Sequence, residues 1–123
     1  MLGRKKPVSG TKCKQKDIVL VPFPYSDLSG SKRRPVLIVS NDNYNQKFQD
    51  VLVCVITSNL RKDSYSIDLE NSDLEVGVLP ESSLIKAHKL FTIHQDKIVR
   101  KYSVVKNDCF EKVAEKIKHL IEN

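Results

Sequence analysis

Over residues 17–105 the hydrophobic positions come in short runs, each closed by polar residues, glycine or proline. Residues 17–23 predict a strand that ends where Pro22 and Pro24 withhold N–H donors from a ladder. Residues 25–34 form a polar loop rich in Ser, Asp, Gly and basic side chains. Residues 35–41 predict a second strand, apolar enough to be buried on both faces, and residues 41–50 a polar connection. Residues 51–57 predict the third and most hydrophobic strand. Residues 65–69 alternate apolar and polar with period two, as a half-buried strand does. Residues 76–80 make a short strand closed by Pro80, residues 84–87 a short strand or turn, and residues 90–93 and 97–105 further strands.

Beyond residue 105 the period changes. Phe110, Val113, Ala114, Ile117, Leu120 and Ile121 fall on one face of an α-helix, and the stripe predicts that all six, Leu120 included, pack on the core. Asn107 or Asp108 can cap this helix, with Glu111 three residues after Asp108 as in a capping box. Lys116, Lys118 and His119 suit its C-terminal end, where the helix dipole favours cations. Many short strands followed by one helix predict a mainly β fold: a small antiparallel barrel with a C-terminal helix packed on it. Strand and helix do not alternate, which excludes a doubly wound sheet. No G-x-G-x-x-G or Walker A run is present to cradle a nucleotide.

The 123 residues suffice for one domain, expected over residues 16–123 after a basic leader, residues 1–15. Net charge is +6, but its placement matters more than its sum. Of the 21 Lys and Arg, six (Arg4, Lys5, Lys6, Lys12, Lys14 and Lys16) fall in residues 1–16 with no acid among them; the remainder carries 15 charges of each sign. The leader, with Gly3, Pro7, Ser9 and Gly10, reads as disordered. It can bind phosphate by counterion release or serve as a solvated terminus. The longest apolar run, residues 51–56, is far below the roughly 20 residues of a membrane span, and no apolar segment follows the basic N-terminus as in a secretory signal. A cytoplasmic protein without membrane association is expected. Cys13, Cys54 and Cys109 form no C-x-x-C pair, and His88, His94 and His119 form no ligand pattern, so reduced thiols and no metal site are expected.

Two stretches carry candidate chemistry. In Ser29-Gly30-Ser31-Lys32-Arg33-Arg34-Pro35, three consecutive cations lead from a loop into a buried strand. Pro35 biases Arg34 toward extended backbone, which leaves Lys32 and Arg33 on the loop and holds Arg34 at a rigid strand edge. A guanidinium so held can meet a phosphate with two parallel hydrogen bonds; a solvated basic loop is the alternative. In Ile56-Thr57-Ser58-Asn59, small hydroxyl and amide side chains appear where a buried strand emerges. They can position a phosphate or ribose hydroxyl, or simply end the strand.

Lys16-Asp17-Ile18-Val19-Leu20-Val21-Pro22-Phe23-Pro24, then Asp27-Leu28-Ser29-Gly30-Ser31-Lys32-Arg33-Arg34-Pro35-Val36-Leu37-Ile38-Val39-Ser40, then Ile56-Thr57-Ser58 together resemble the MazF/PemK family of toxins. The resemblance runs over residues 16–122. It implies a small, strongly curved SH3-like or plasmid-toxin barrel with a C-terminal helix, a homodimer, and a toxin of a type II toxin–antitoxin pair. It also implies a metal-independent, sequence-specific endoribonuclease acting on single-stranded RNA, with no cofactor, inhibited by the cognate antitoxin's disordered tail in the RNA groove. By position the family's catalytic arginine corresponds to Arg34 and its catalytic threonine to Thr57. The loop of residues 25–33 is expected to cover the site and help choose the RNA sequence. RNA contacts are expected at Ser31, Lys32, Arg33, Asn41, Ser58 and Asn59, with Tyr25, Tyr44 and Phe48 as candidates for base stacking.

Three positions depart from the family pattern. Its usual glycine before Asp17 is Lys16 here, the acidic residue of its first loop is replaced in Gly30-Ser31-Lys32, and a glycine before the final helix is Ser103. The same fold also hosts non-catalytic toxins that bind DNA gyrase through C-terminal helix residues, and an inactive RNA-binding module is a third reading. Arg34 before Pro35, together with Thr57, favours the nuclease.

Overall fold

A computed structural model describes residues 13–22 and 33–122. Seven strands form one antiparallel sheet: β1 (Asp17–Pro22), β2 (Arg33–Ile38), β3 (Asp50–Thr57), β4 (Ser66–Leu69), β5 (Leu74–Val76), β6 (Ser83–His94) and β7 (Arg100–Val105). Their order is β4-β6-β3-β2-β1-β7-β5. Helix α1 (Asp42–Lys47) links β2 to β3, and α2 (Asn107–Ile121) follows β7. This is the mainly β architecture with a C-terminal helix that the residue pattern predicts. Its edge strands are only four and three residues long, which limits the unpaired backbone offered to other chains.

The central strands are apolar at odd and even positions because both faces of the sheet are covered. Ile18, Leu37, Cys54, Ile56 and Ile85 face one core, completed by Val105, Cys109 and Val113 where α2 crosses. Val19, Val21, Val36, Ile38, Val51 and Val53 face a second core on the opposite side. Side chains along a strand alternate between faces, so each strand feeds both cores in turn. Each fully buried aliphatic side chain contributes about 1.5–3 kcal/mol of transfer free energy.

Several elements differ from the residue pattern. Strand β2 begins at Arg33, not Pro35, because Pro22 pairs with Arg33 and Val21 with Arg34; neither arginine belongs to the loop. The polar connection contains α1, capped by Asn41 Oδ1, which accepts from Tyr44 N at 2.8 Å. Buried Asn45 holds it: Asn45 Nδ2 donates to Ser40 O and Ser40 Oγ to Asn45 Oδ1, while Leu52 N donates to Ser40 Oγ. The two apolar runs at 84–87 and 90–93 are one 12-residue strand, β6. Its pairing with β3 jumps from Cys54–Leu90 to Val55–Lys86, so Ala87, His88 and Lys89 bulge. Helix α2 is capped at Lys106 without a side-chain hydrogen bond, not by Asn107 or Asp108. Its core contacts come from Cys109, Val113, Phe110 and Ile117; Ala114 is exposed, and Leu120 and Ile121 are 41% and 78% exposed, the last two because the helix runs past the core it covers.

Residues 13–15, placed in the leader by sequence, dock on the body. Cys13 N donates to Gln95 Oε1, Gln15 N to Asp42 Oδ1 and Gln15 Nε2 to Val39 O. Lys16 then adopts φ of +82°, a left-handed conformation that costs an L side chain about 1–2 kcal/mol. Here the family resemblance expects glycine, and the backbone accounts for that preference. The conformation lets Lys16 N donate to Ile38 O while Lys16 O accepts from Val105 N, tying β2 and β7 together just ahead of β1.

Candidate active site

The β2–β3 ladder runs through Ile38–Val53, Leu37–Cys54 and Val36–Val55. Pro35 has no N–H to offer a ladder, and pairing with β3 goes no further than Val36, although β1 stays paired with β2 as far as Arg33. Continued two residues, the same register sets Arg34 opposite Thr57. Both belong to the face that carries Val36, Ile38, Val51 and Val53, since alternation returns every second side chain to one side. Arg34 and Thr57 are half-buried, whereas Arg33, Ser58 and Asn59 are exposed. A guanidinium and a hydroxyl thus stand on adjacent strands at the end of the sheet where β2 begins and β3 finishes.

The Thr57 hydroxyl is oriented locally. Its Oγ1 accepts from Asn59 N at 3.1 Å, so its own proton points elsewhere. Asn59 Oδ1 in turn accepts from Arg61 N at 3.1 Å. Beside this turn lies a polar group that residue spacing did not single out. Lys86 Nζ, on β6 opposite Val55, donates to Arg61 O at 2.8 Å, Ser66 Oγ at 3.0 Å and Asp63 Oδ2 at 3.1 Å. Asp63 Oδ1 accepts from Tyr65 N at 2.9 Å. That backbone bond, with help from Lys86 and Ser66, holds the Asp63 carboxyl down at about 2. His88 adds Nε2 at 3.8 Å from Asp63 Oδ2, and its ring lies against Tyr65 at 5.5 Å. Asp63 and Tyr65 lie 21 to 25 residues before Lys86 and His88 in sequence, and the two pairs meet only because β4 pairs with β6.

The other sequence-predicted residues separate. Arg33, Arg34, Thr57, Ser58 and Asn59 share one end of the sheet. Asn41 lies beyond the opposite end of β2, where its side chain caps α1. Tyr44 and Phe48 are there too, stacked on each other at 4.5 Å. Tyr44 Oη donates to Asp50 Oδ1 at 2.8 Å, and this bond raises the phenol's pKa. Ser31, Lys32, Tyr25 and the rest of the first loop lie outside the described residues. Among the described residues no three His, Cys, Asp or Glu side chains converge in a way that could hold a metal ion, and no helix is long and apolar enough to cross a membrane.

Residues 14–121 match the model of the PemK-like, MazF-like toxin of type II toxin–antitoxin systems. The chain belongs to this family. No curated protein sequence matches it significantly, but solved structures of the fold do. A MazE–MazF complex from Deinococcus radiodurans superposes with a TM-score of 0.71 at 20% identity, over 90% of this chain and 96% of that one. An endoribonuclease in complex with its cognate antitoxin, from a mycobacterial species, gives 0.70 at 20% identity over 87% and 92%. The Mycobacterium tuberculosis toxin MazF-mt6 gives 0.66 at 18% identity over 84% and 93%. At these identities the likeness establishes the fold, a MazF-type curled sheet with its C-terminal helix.

Proposed function

We propose that this MazF-like toxin is an endoribonuclease that cuts single-stranded RNA at short specific sequences without a metal ion. The observation that carries the reading is the placement of Arg34 and Thr57 on one face of the sheet, two residues beyond the last β2–β3 pair, Val36–Val55, in a chain of this family. RNA supplies its own nucleophile, the 2′-hydroxyl, so the protein need only align that group with the phosphorus and stabilise charge on the phosphoryl oxygens. Arg34, half-buried and held on a strand, supplies a fixed positive charge for those oxygens. A guanidinium carries donors and no acceptor and does not serve as a base, so its part is electrostatic, with proton donation to the leaving oxygen as an added capacity. Thr57, whose oxygen is occupied by Asn59 N, directs its hydroxyl proton to a phosphoryl oxygen or orients the attacking hydroxyl. The products are a 2′,3′-cyclic phosphate and a free 5′-hydroxyl. Exposed Arg33, Ser58 and Asn59 flank the scissile group, with Ser31 and Lys32 of the first loop as further RNA contacts.

The protein works as a cytoplasmic homodimer restrained by a cognate antitoxin. Family membership and the antitoxin-bound complexes among its structural neighbours support this part.

Incubation of the purified protein with a long single-stranded RNA in EDTA, beside Arg34→Ala, tests the reading. Discrete cuts with 5′-hydroxyl ends are expected from the wild type. The variant should keep its fold and lose cleavage, since Arg34 adds no core volume. Absence of cutting by folded wild-type protein, or equal cutting by Arg34→Ala, overturns the assignment.

A further inference from the structure

Between Thr57 and Ser66 the chain leaves the sheet without regular structure, yet side chains tie it down along its length. A continuous series of hydrogen bonds runs from β6 to the proposed catalytic hydroxyl. Lys86 Nζ donates to Arg61 O, Arg61 N donates to Asn59 Oδ1, and Asn59 N donates to Thr57 Oγ1. The remaining two Lys86 protons go to Asp63 Oδ2 and Ser66 Oγ, and Asp63 N donates to the same Ser66 Oγ. All three donors of the ammonium are therefore used within the protein. The Lys86 side chain is only 12% exposed, too enclosed to serve as a surface contact for a phosphate. We infer that Lys86 is a positioning residue: through Arg61 and Asn59 it fixes the β3–β4 connection and thereby the direction of the Thr57 hydroxyl.

The inference rests on the endoribonuclease reading and adds a residue to it. An unguided hydroxyl rotates among three staggered wells, and a loop that drifts moves its acceptor with it. Misplacement by about 1 Å near a reacting phosphate can cost on the order of 100-fold in rate. Lys86 touches no substrate in this arrangement, so its loss acts on the chemical step and not on RNA affinity. A lysine that itself gripped RNA would show the reverse: weaker binding and a shallower salt dependence.

Lys86→Met, Asn59→Ala and the double variant test this. Three quantities are compared with wild type: single-turnover cleavage, affinity for an RNA carrying a 2′-deoxy scissile nucleotide, and amide exchange at Asn59 and Arg61. Asn59 is exposed, so its variant keeps its fold even where loss of Lys86 unfolds the protein; because Asn59 is also a proposed RNA contact, its cleavage rate is read at saturating RNA and its effect on the chain from exchange at Arg61. Lys86→Met should slow cleavage about tenfold, change affinity less than threefold and speed exchange at both amides. The double variant should be no slower than the slower single one, because both cut the same chain. Wild-type rates in a folded Lys86→Met or in Asn59→Ala, unchanged exchange, multiplicative losses, or a defect confined to affinity each overturn the inference and leave the nuclease standing. A wild type that cuts no RNA removes the nuclease reading and the inference with it.

Discussion

Single residues in this fold carry strain and charge in ways their neighbours explain. Lys16 stands left-handed at φ +82° because its two backbone bonds, to Ile38 and Val105, demand that geometry. Glycine adopts it freely at some loss of unfolded-state entropy. Lys16→Gly should therefore raise stability by about 1 kcal/mol, read as a higher urea midpoint with unchanged slope. The exposed contact from Lys16 Nζ to Asn107 Oδ1 that is lost is too weak to reverse the sign. Asp63 is a charge effect. Its carboxyl, ordinarily near 3.8, is held at about 2 by the Tyr65 amide first and then by Lys86 and Ser66. A depressed acid stabilises the fold above its unfolded pKa and ceases to do so as pH falls through its folded one. Urea melts of wild type and Asp63→Asn should thus differ by a constant amount above about pH 5 and converge as pH drops toward about 2. A difference that persists unchanged at pH 2 would show that the carboxylate's charge is not what matters.

At the scale of elements, α2 separates periodicity from burial. Val113 is fully buried, whereas Leu120, on the same apolar stripe, is 41% exposed. Val113→Ala should cost about 2–3 kcal/mol and Leu120→Ala about 0.5 kcal/mol or less in paired thermal melts. The expectation that Leu120 is core came from a period that continues after the sheet beneath it has ended, and no residue in the helix marks that end. Much else was legible. Strands β1 to β4 and β7 lie near where alternation, proline and β-branched runs put them, whereas β5 (Leu74–Val76) precedes the run at 76–80 expected to form it; Arg34 and Thr57 stood out at the ends of such runs, and their catalytic roles came from the family resemblance. What escaped was held by distant partners. Helix α1 has no apolar stripe; a cap at Asn41 and the buried Asn45 amide make it. Strand β6 looked divided because polar His88 and Lys89 interrupt it, and only the bulge against β3 explains how one strand tolerates them. The Lys86–Asp63 group has no spacing signature at all, since pairing of β4 with β6 creates it.

For the whole molecule, two covered faces of one sheet leave cysteine chemistry confined. Cys54 and Cys109 lie inside the α2-side core, and burial pushes their thiols up to about 12 and about 11. Thiolate is the reactive form, so iodoacetamide at about pH 8 should label the native protein at Cys13 alone and all three cysteines after denaturation, counted by mass spectrometry. Label on Cys54 in the native state would mean that α2 detaches readily. The sheet order has another consequence. Strand β1 lies between β2 and β7, so its second partner is residues Arg100–Val105, and the core over it closes only with Val105, Cys109 and Val113. Contacts this distant along the chain form late, after the loop-closure entropy has been met. During synthesis strand β1 must therefore wait for residues 100–113 before it can be sealed in. The nuclease proposed here would then stay unfinished, and spare the message being read to make it, until β7 and α2 have left the ribosome.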